Sequence, residues 1–148
     1  MQSVDALRKL GDVDRVMIEH RVRAMIEYRE AGDIGSMLAH VAPDIVCHSR
    51  GHWSLVLFPR PVVGKASVAE AYRMLNIKYE NLGSEVHEFL IDGDRVSLHR
   101  TTSVRNRGTS QVFTFDVINF ARFRDGLIVE FSEYADVAAR EPMLDVNP

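Results

Sequence analysis

From residue 86 to residue 135 the chain alternates apolar with polar residues in four successive stretches, 86–91, 95–105, 111–124 and 127–135, separated by short segments that carry DGD, NRG and DG turns. Side chains leave a strand on alternate faces, so a period of two predicts strands with one buried face. Connections this short join antiparallel neighbours, because a parallel return needs a crossover of about a dozen residues or more. The C-terminal half therefore predicts an antiparallel meander. Such a sheet cannot bury its apolar face alone, and the preceding residues must cover it.

Those residues carry a helical rhythm. Val16, Met17, Val22, Met25 and Ile26 recur at helical spacing, predicting a helix from about 13 to about 31. Asp12 or Asp14 can cap it, and AGD at 31–33 stops it. A shorter helix is expected over 34–40 and a strand over DIVCHSRG, 44–51. HWSLVLFPRPVVGK contains two prolines, which rule out a smooth central strand there. Ser67 and Glu70 have capping-box spacing for a third helix ending between about 76 and 79. Helices first and a meander behind predict an α+β fold. At 148 residues the chain is expected to form a single domain, 1–148, with a core over about 13–137 and loosely held ends.

Composition narrows the function. The net charge is −3 and the 18 Lys and Arg residues are scattered, without the concentrated positive footprint that nucleic acid requires. The longest uncharged run, in GHWSLVLFP, is too short to cross a membrane, and the N-terminal residues lack a signal-peptide apolar run. A cytoplasmic protein with neither nucleic acid nor membrane as partner is expected. The single cysteine, Cys47, excludes an internal disulfide. There is no P-loop, dinucleotide fingerprint, HExxH or Cys-pair metal motif, and no cofactor or metal is expected.

The apolar faces carry polar residues. Counting by twos places Asn119 with Phe115, Val117, Ala121 and Phe123, and Glu133 with Leu127, Val129, Phe131 and Ala135. Arg100 and Thr102 share a face with Val96, Leu98 and Val104, while His48 shares one with Val46. Buried ionisable groups cost several kcal/mol unless paired, so Arg100 and Glu133 are expected to pair or to orient a ligand. His48 has the chemistry of a general base near neutrality; a histidine near a strand end can equally be a solvated or satisfied group. Asn119 can donate to a carbonyl or a developing oxyanion, or satisfy a neighbouring backbone group. Trp53 and Phe58, in the proline-containing segment, suit either a pocket mouth or a dimer contact. Tyr134 and Asp136 have the parity opposite to Glu133; Tyr134 is expected as outward interface packing and Asp136 as a rim or helix-facing charge.

These residues resemble the NTF2-like superfamily, in its SnoaL-like and ketosteroid-isomerase-like branches. The resemblance runs through MIEYREAGDIGSMLAHVAPDIVCHSRG, VVGKASVAEAY and FDVINFARFRDGLIVEFSEY to REP, roughly residues 14–142. It implies a cone of bent antiparallel sheet closed by three helices in the N-terminal half, a deep apolar pocket and frequent homodimers. Residue by residue, the isomerase's general-base aspartate is replaced by His48, its oxyanion-hole tyrosine by Met25 and its protonated aspartate by Asn119. Against the limonene-epoxide-hydrolase branch, Arg100 matches the arginine and Glu133 the last-strand acid, while Thr102 replaces the intervening aspartate. Scytalone dehydratase, of the same superfamily, works with histidines, and His48 is the one expected to face inward here.

The resemblance implies a small hydrophobic, carbonyl-containing ligand, with cofactor-independent isomerase or cyclase chemistry. His48, Asn119, Glu133 and Arg100 are the candidate catalytic residues. Met25, Trp53, Phe58, Thr102, Phe115, Val117, Phe131 and Ala135 are the candidate pocket lining. The alternatives are a non-catalytic ligand-binding or dimerisation domain and an epoxide hydrolase-like or dehydratase-like enzyme.

Overall fold

The computed structural model describes residues 4–50 and 60–136, with side chains from Asp14 onward. Helix α1 spans Val4–Glu30 and lays Ile18, Val22, Met25 and Ile26 into the core. It ends where Gly32 adopts φ 78°, a left-handed conformation that costs glycine little. There the Asp33 N–H donates to Tyr28 O at 2.9 Å and the Gly32 N–H to Arg29 O at 3.0 Å. This paired closure satisfies two carbonyls of the last turn and fixes the direction in which Arg29 leaves the helix. Asp33 then caps α2, Ile34–Leu38, by accepting from the Ser36 N–H at 3.1 Å.

Strand β1, Val41–Arg50, is followed by the two-residue β2, Val62–Val63, and by α3, Lys65–Lys78. The meander comprises β3, Tyr79–Asp92; β4, Arg95–Asn106; β5, Val112–Arg124; and β6, Leu127–Ala135. One six-stranded sheet results, in the order β2-β1-β6-β5-β4-β3. The fold is α+β, a bent sheet against a small helical layer, as expected. One expectation needs correction: the sheet is mixed, because β1 runs parallel to β6. Hairpin turns fix the direction of consecutive strands only. Between β1 and β6 stand α3 and the whole meander, so that pairing is free of the rule.

The local boundaries show two further corrections. Helix α3 begins at Lys65 with Gly64 as its N-cap and no side-chain cap, so Ser67 lies inside the helix rather than at its start. Strand β3 starts at Tyr79, seven residues before the expected position. Its pairing with β4 slips between Asn81 and Ser84 and again between Val86 and Glu88, and these bulges break the period of two. Alternation alone therefore missed half of it.

The main core gathers α1 residues with Ile34, Met37, Val41, Ile45, Val68, Leu98, Ile128 and Phe131. A smaller cluster of Tyr79, Val104, Phe115 and Val117 lies beside it. Among the described residues no helix is long and apolar enough to cross a membrane. Cys47 is buried in the main core, and burial pushes its thiol up to about 12. A thiol that is neutral and enclosed is a poor nucleophile. Native protein at pH 8 is expected to leave Cys47 unlabelled by a thiol-specific reagent until denaturant is added; prompt stoichiometric labelling without unfolding would contradict this packing.

Candidate functional site

The sheet register assembles a polar row on its helix-covered face. Leu98 lies opposite Asn119, Asn119 opposite Glu133, and Glu133 opposite Ser49. Arg100 lies opposite Val117, one step along. Arg100, Asn119, Glu133 and Ser49 therefore sit side by side on four strands, and all four are buried, Arg100 at 2% exposure and Asn119 at 0%. The last turn of α1 adds Arg29 from above.

The Glu133 carboxylate is gripped from both layers. Its Oε1 accepts from Arg29 Nη1 at 2.9 Å and from Arg100 Nη2 at 3.0 Å. Arg100 also donates to Asn119 Oδ1, from Nε at 2.8 Å, and to Ser84 Oγ, from Nη1 at 2.7 Å. Ser84 passes its own proton toward Glu30 Oε2 at 2.8 Å. Asn119 Nδ2 donates to the Ser132 carbonyl at 3.3 Å. The Arg29 guanidinium lies over the Tyr72 ring, 4.7 Å from its centroid, a cation–π contact.

These contacts set the charge balance. Burial, the largest single influence, lowers the pKa of Arg29, but Glu133, Tyr72 and Glu30 together outweigh it, and the net shift is upward. For Arg100 burial prevails: Glu133 opposes it, Arg29 reinforces it, and the net shift is downward. Both guanidiniums stay charged at physiological pH. One carboxylate thus touches two cations, and Glu30 joins the cluster by accepting a hydrogen bond from Ser84 and by its charge.

Beside the cluster is a cavity of about 50 Å³ lined by Arg29, Asn76, Tyr79, Arg100, Phe115 and Glu133, together with Leu75, Asn81, Thr102, Val104 and Val117. A water molecule needs about 10–15 Å³ of such space, so the cavity holds a few waters or one end of a ligand. Its walls are polar on the Arg29–Glu133–Arg100 side and apolar on the Phe115–Val117 side.

The structure brings Arg100, Glu133, Thr102, Phe115 and Val117 to this cavity. Asn119 stands behind Arg100 rather than on the wall, with its carbonyl committed to Arg100 and its amide to Ser132. Ala135 packs half-buried against the small cluster. Met25 and Phe131 are corrected: both are fully packed into the main core and do not line the cavity. Trp53 and Phe58 lie outside the described residues.

His48 is the largest correction. The interior positions of β1 are Ile45, Cys47 and Ser49, so His48 points to the opposite face. There its Nε2 lies 3.7 Å from Glu130 Oε1, whose other oxygen is 3.5 Å from Arg122 Nε. Counting correctly joined His48 to Val46, but apolar residues occupy both faces of β1, and a one-residue ambiguity inverts every side chain. The inward polar residue of this strand is Ser49. Its Oγ is buried and has no hydrogen-bond partner among the described residues.

Arg29 was missed, although a signal existed. It falls three and four residues after Ile26 and Met25, on the stripe that α1 buries, where an arginine is anomalous. Leu75, Asn76, Tyr79 and Asn81 were missed because they straddle the junction between α3 and β3.

Comparison with known proteins agrees with this architecture. The sequence matches the family model described as SnoaL-like domain over residues 22–131. The chain belongs to that SnoaL-like family. No curated protein matches it in sequence. Among solved structures it is similar to an NTF2-like protein from Burkholderia xenovorans LB400, at 23% identity and TM-score 0.72, covering 87% of this chain and 96% of that one. An NTF2-like protein of unknown function from Burkholderia pseudomallei K96243 matches at 20% identity and TM-score 0.76, over 88% and 98% of the two chains. An LEH-like epoxide hydrolase of M. tuberculosis matches at 19% identity and TM-score 0.71, over 87% and 90%. At these identities the likeness is one of fold.

The surroundings of His48 give a directional test. Burial first, and then the Arg50 charge, hold its pKa below the ordinary histidine value, while Glu130 pulls it upward. An NMR titration is expected to find His48 below the usual value and lower still in Glu130→Gln. An unchanged midpoint in that variant would contradict the outward placement.

Proposed function

We propose that the protein binds a small, largely apolar molecule through a carbonyl or carboxylate oxygen, with the oxygen held by Arg29 and Arg100 and the apolar body against Phe115 and Val117. The observation that carries this reading is the guanidinium pair on the cavity wall, Arg100 buried and Arg29 partly so. Arg29 has five N–H donors, and one of them donates to Glu133 among the described residues. An oxygen entering the cavity would meet donors and positive charge in a site from which most water is excluded, where such interactions are strong.

The same geometry supports cofactor-independent proton transfer of the isomerase or cyclase kind. Glu133, rather than His48, is the carboxylate on the cavity wall. It would accept a proton from the carbon next to the carbonyl, and the electron pair would move onto the oxygen facing the guanidiniums. Asn119 then acts by holding Arg100 in place. A non-catalytic binding domain is the second reading, favoured by the way Arg100, Asn119, Ser84 and Glu133 answer one another's hydrogen bonds. Epoxide opening is less well supported, since Thr102 stands where an acid would complete the relay. We also propose a homodimer through the β5–β6 part of the outer sheet face, where Phe120 and Tyr134 are exposed and their rings lie 6.1 Å apart.

Isothermal titration with aryl ketones and aryl carboxylates tests the ligand class. Saturable binding is expected, weakened about tenfold or more by Arg29→Lys, which keeps the charge and loses the planar fork, and by Phe115→Ala, which removes part of the apolar wall. Binding indifferent to both variants, or none at all, would overturn it. For a ketone that binds, exchange of its α-protons with deuterated solvent is expected to be lost in Glu133→Gln and kept in His48→Gln. Binding without exchange would select the non-catalytic reading.

A further inference from the structure

The outer face of the sheet carries a second cluster, remote in chemistry from the cavity. His87, His99 and Asp116 stand on β3, β4 and β5, and one ligand atom from each lies within 4.8 Å of the other two. We propose that these three residues form a binding site for a divalent transition-metal ion of the Zn²⁺ type.

The sheet builds this cluster deliberately enough to be traced. On β4, His99 and Thr101 share the outer parity, and Thr101 lies opposite Asp116 on β5. On β3 the register slips between Val86, opposite Arg100, and Glu88, opposite His99, so His87 is the inserted residue of a bulge. A bulge redirects a side chain, and here it turns His87 toward its neighbours: the His87 and His99 ring centroids are 4.9 Å apart.

Thr101 already links the set. Its hydroxyl donates to Asp116 Oδ1 at 2.7 Å, and its oxygen is 2.6 Å from His87 Nε2. His99 Nε2 is 3.6 Å from the same Asp116 oxygen. Two imidazoles and one carboxylate are borderline ligands that suit zinc and its neighbours, and three protein ligands leave a position for water or a further group. With bonds of about 2.0–2.2 Å, two ligand atoms on one ion can be no more than about 4 Å apart. The cluster is thus within a small side-chain rotation of closure; His87 and Asp116 are exposed, and closing on an ion would exchange their Thr101 hydrogen bonds for metal bonds. Glu85 and Glu88, exposed and opposite Thr101 and His99, add negative charge at the rim.

The site is independent of the cavity reading. Its test is titration of the full chain, in its native oligomeric state, with Zn²⁺ alone in competition with a chromophoric chelator. One saturable ion per chain is expected. His87→Gln, His99→Gln and Asp116→Asn should each weaken it by about tenfold or more, with unchanged circular dichroism because the side chains are on the surface. His20→Gln with His40→Gln should leave binding intact. Absence of saturable binding, or full retention in the triple variant, would overturn the proposal.

Discussion

One carboxylate held between two guanidiniums organises the interior of this protein. Glu133 rises from the last strand, Arg100 from a neighbouring part of the sheet and Arg29 from the end of the first helix, and their contacts cross from layer to layer. Hydrophobic contact alone leaves a helix free to slide or rotate over a sheet, because apolar burial has no direction. A charge-assisted hydrogen bond does have direction. Where Arg29 meets Glu133, the helix is fixed in both rotation and position, and the Gly32 closure that ends the helix becomes part of the site.

Such a cluster is costly as a stabilising device. Desolvating three charged groups offsets much of their attraction, and well-packed apolar residues of similar volume often do as well. Asn119 and Ser84 reduce the penalty by answering two more donors of Arg100. The cluster nevertheless borders a cavity instead of filling one. This combination of paired charge, available donors and an apolar wall gives the site its chemical character, and it is why the interior is read as a binding place.

The fold was legible because its signals are redundant. Alternation, three short turns and one amphipathic helix specify the meander and its cover. Arg100, Asn119 and Glu133 were legible for the same reason: each interrupts an otherwise apolar face of a long strand. His48 was misplaced because β1 is apolar on both sides, so its sequence does not distinguish inside from outside. Ser49, the residue that does face Glu133, is chemically inconspicuous. Arg29 lay in plain sight on a buried helical stripe, but its partner is more than a hundred residues away and nothing local names it. The bulge that presents His87 arises from pairing with β4 and leaves no trace in the period of two.

The measurement closest to the central claim is a double-mutant cycle between Arg29 and Glu133, using Arg29→Met, Glu133→Gln and the combined variant, read by chemical denaturation. If the carboxylate locks helix to sheet, the combined loss will differ from the sum of the single losses by about 1–3 kcal/mol, the range for directly interacting residues. Additivity within about 0.5 kcal/mol would mean that the two residues act independently, and the account of a charge-locked interior would fail.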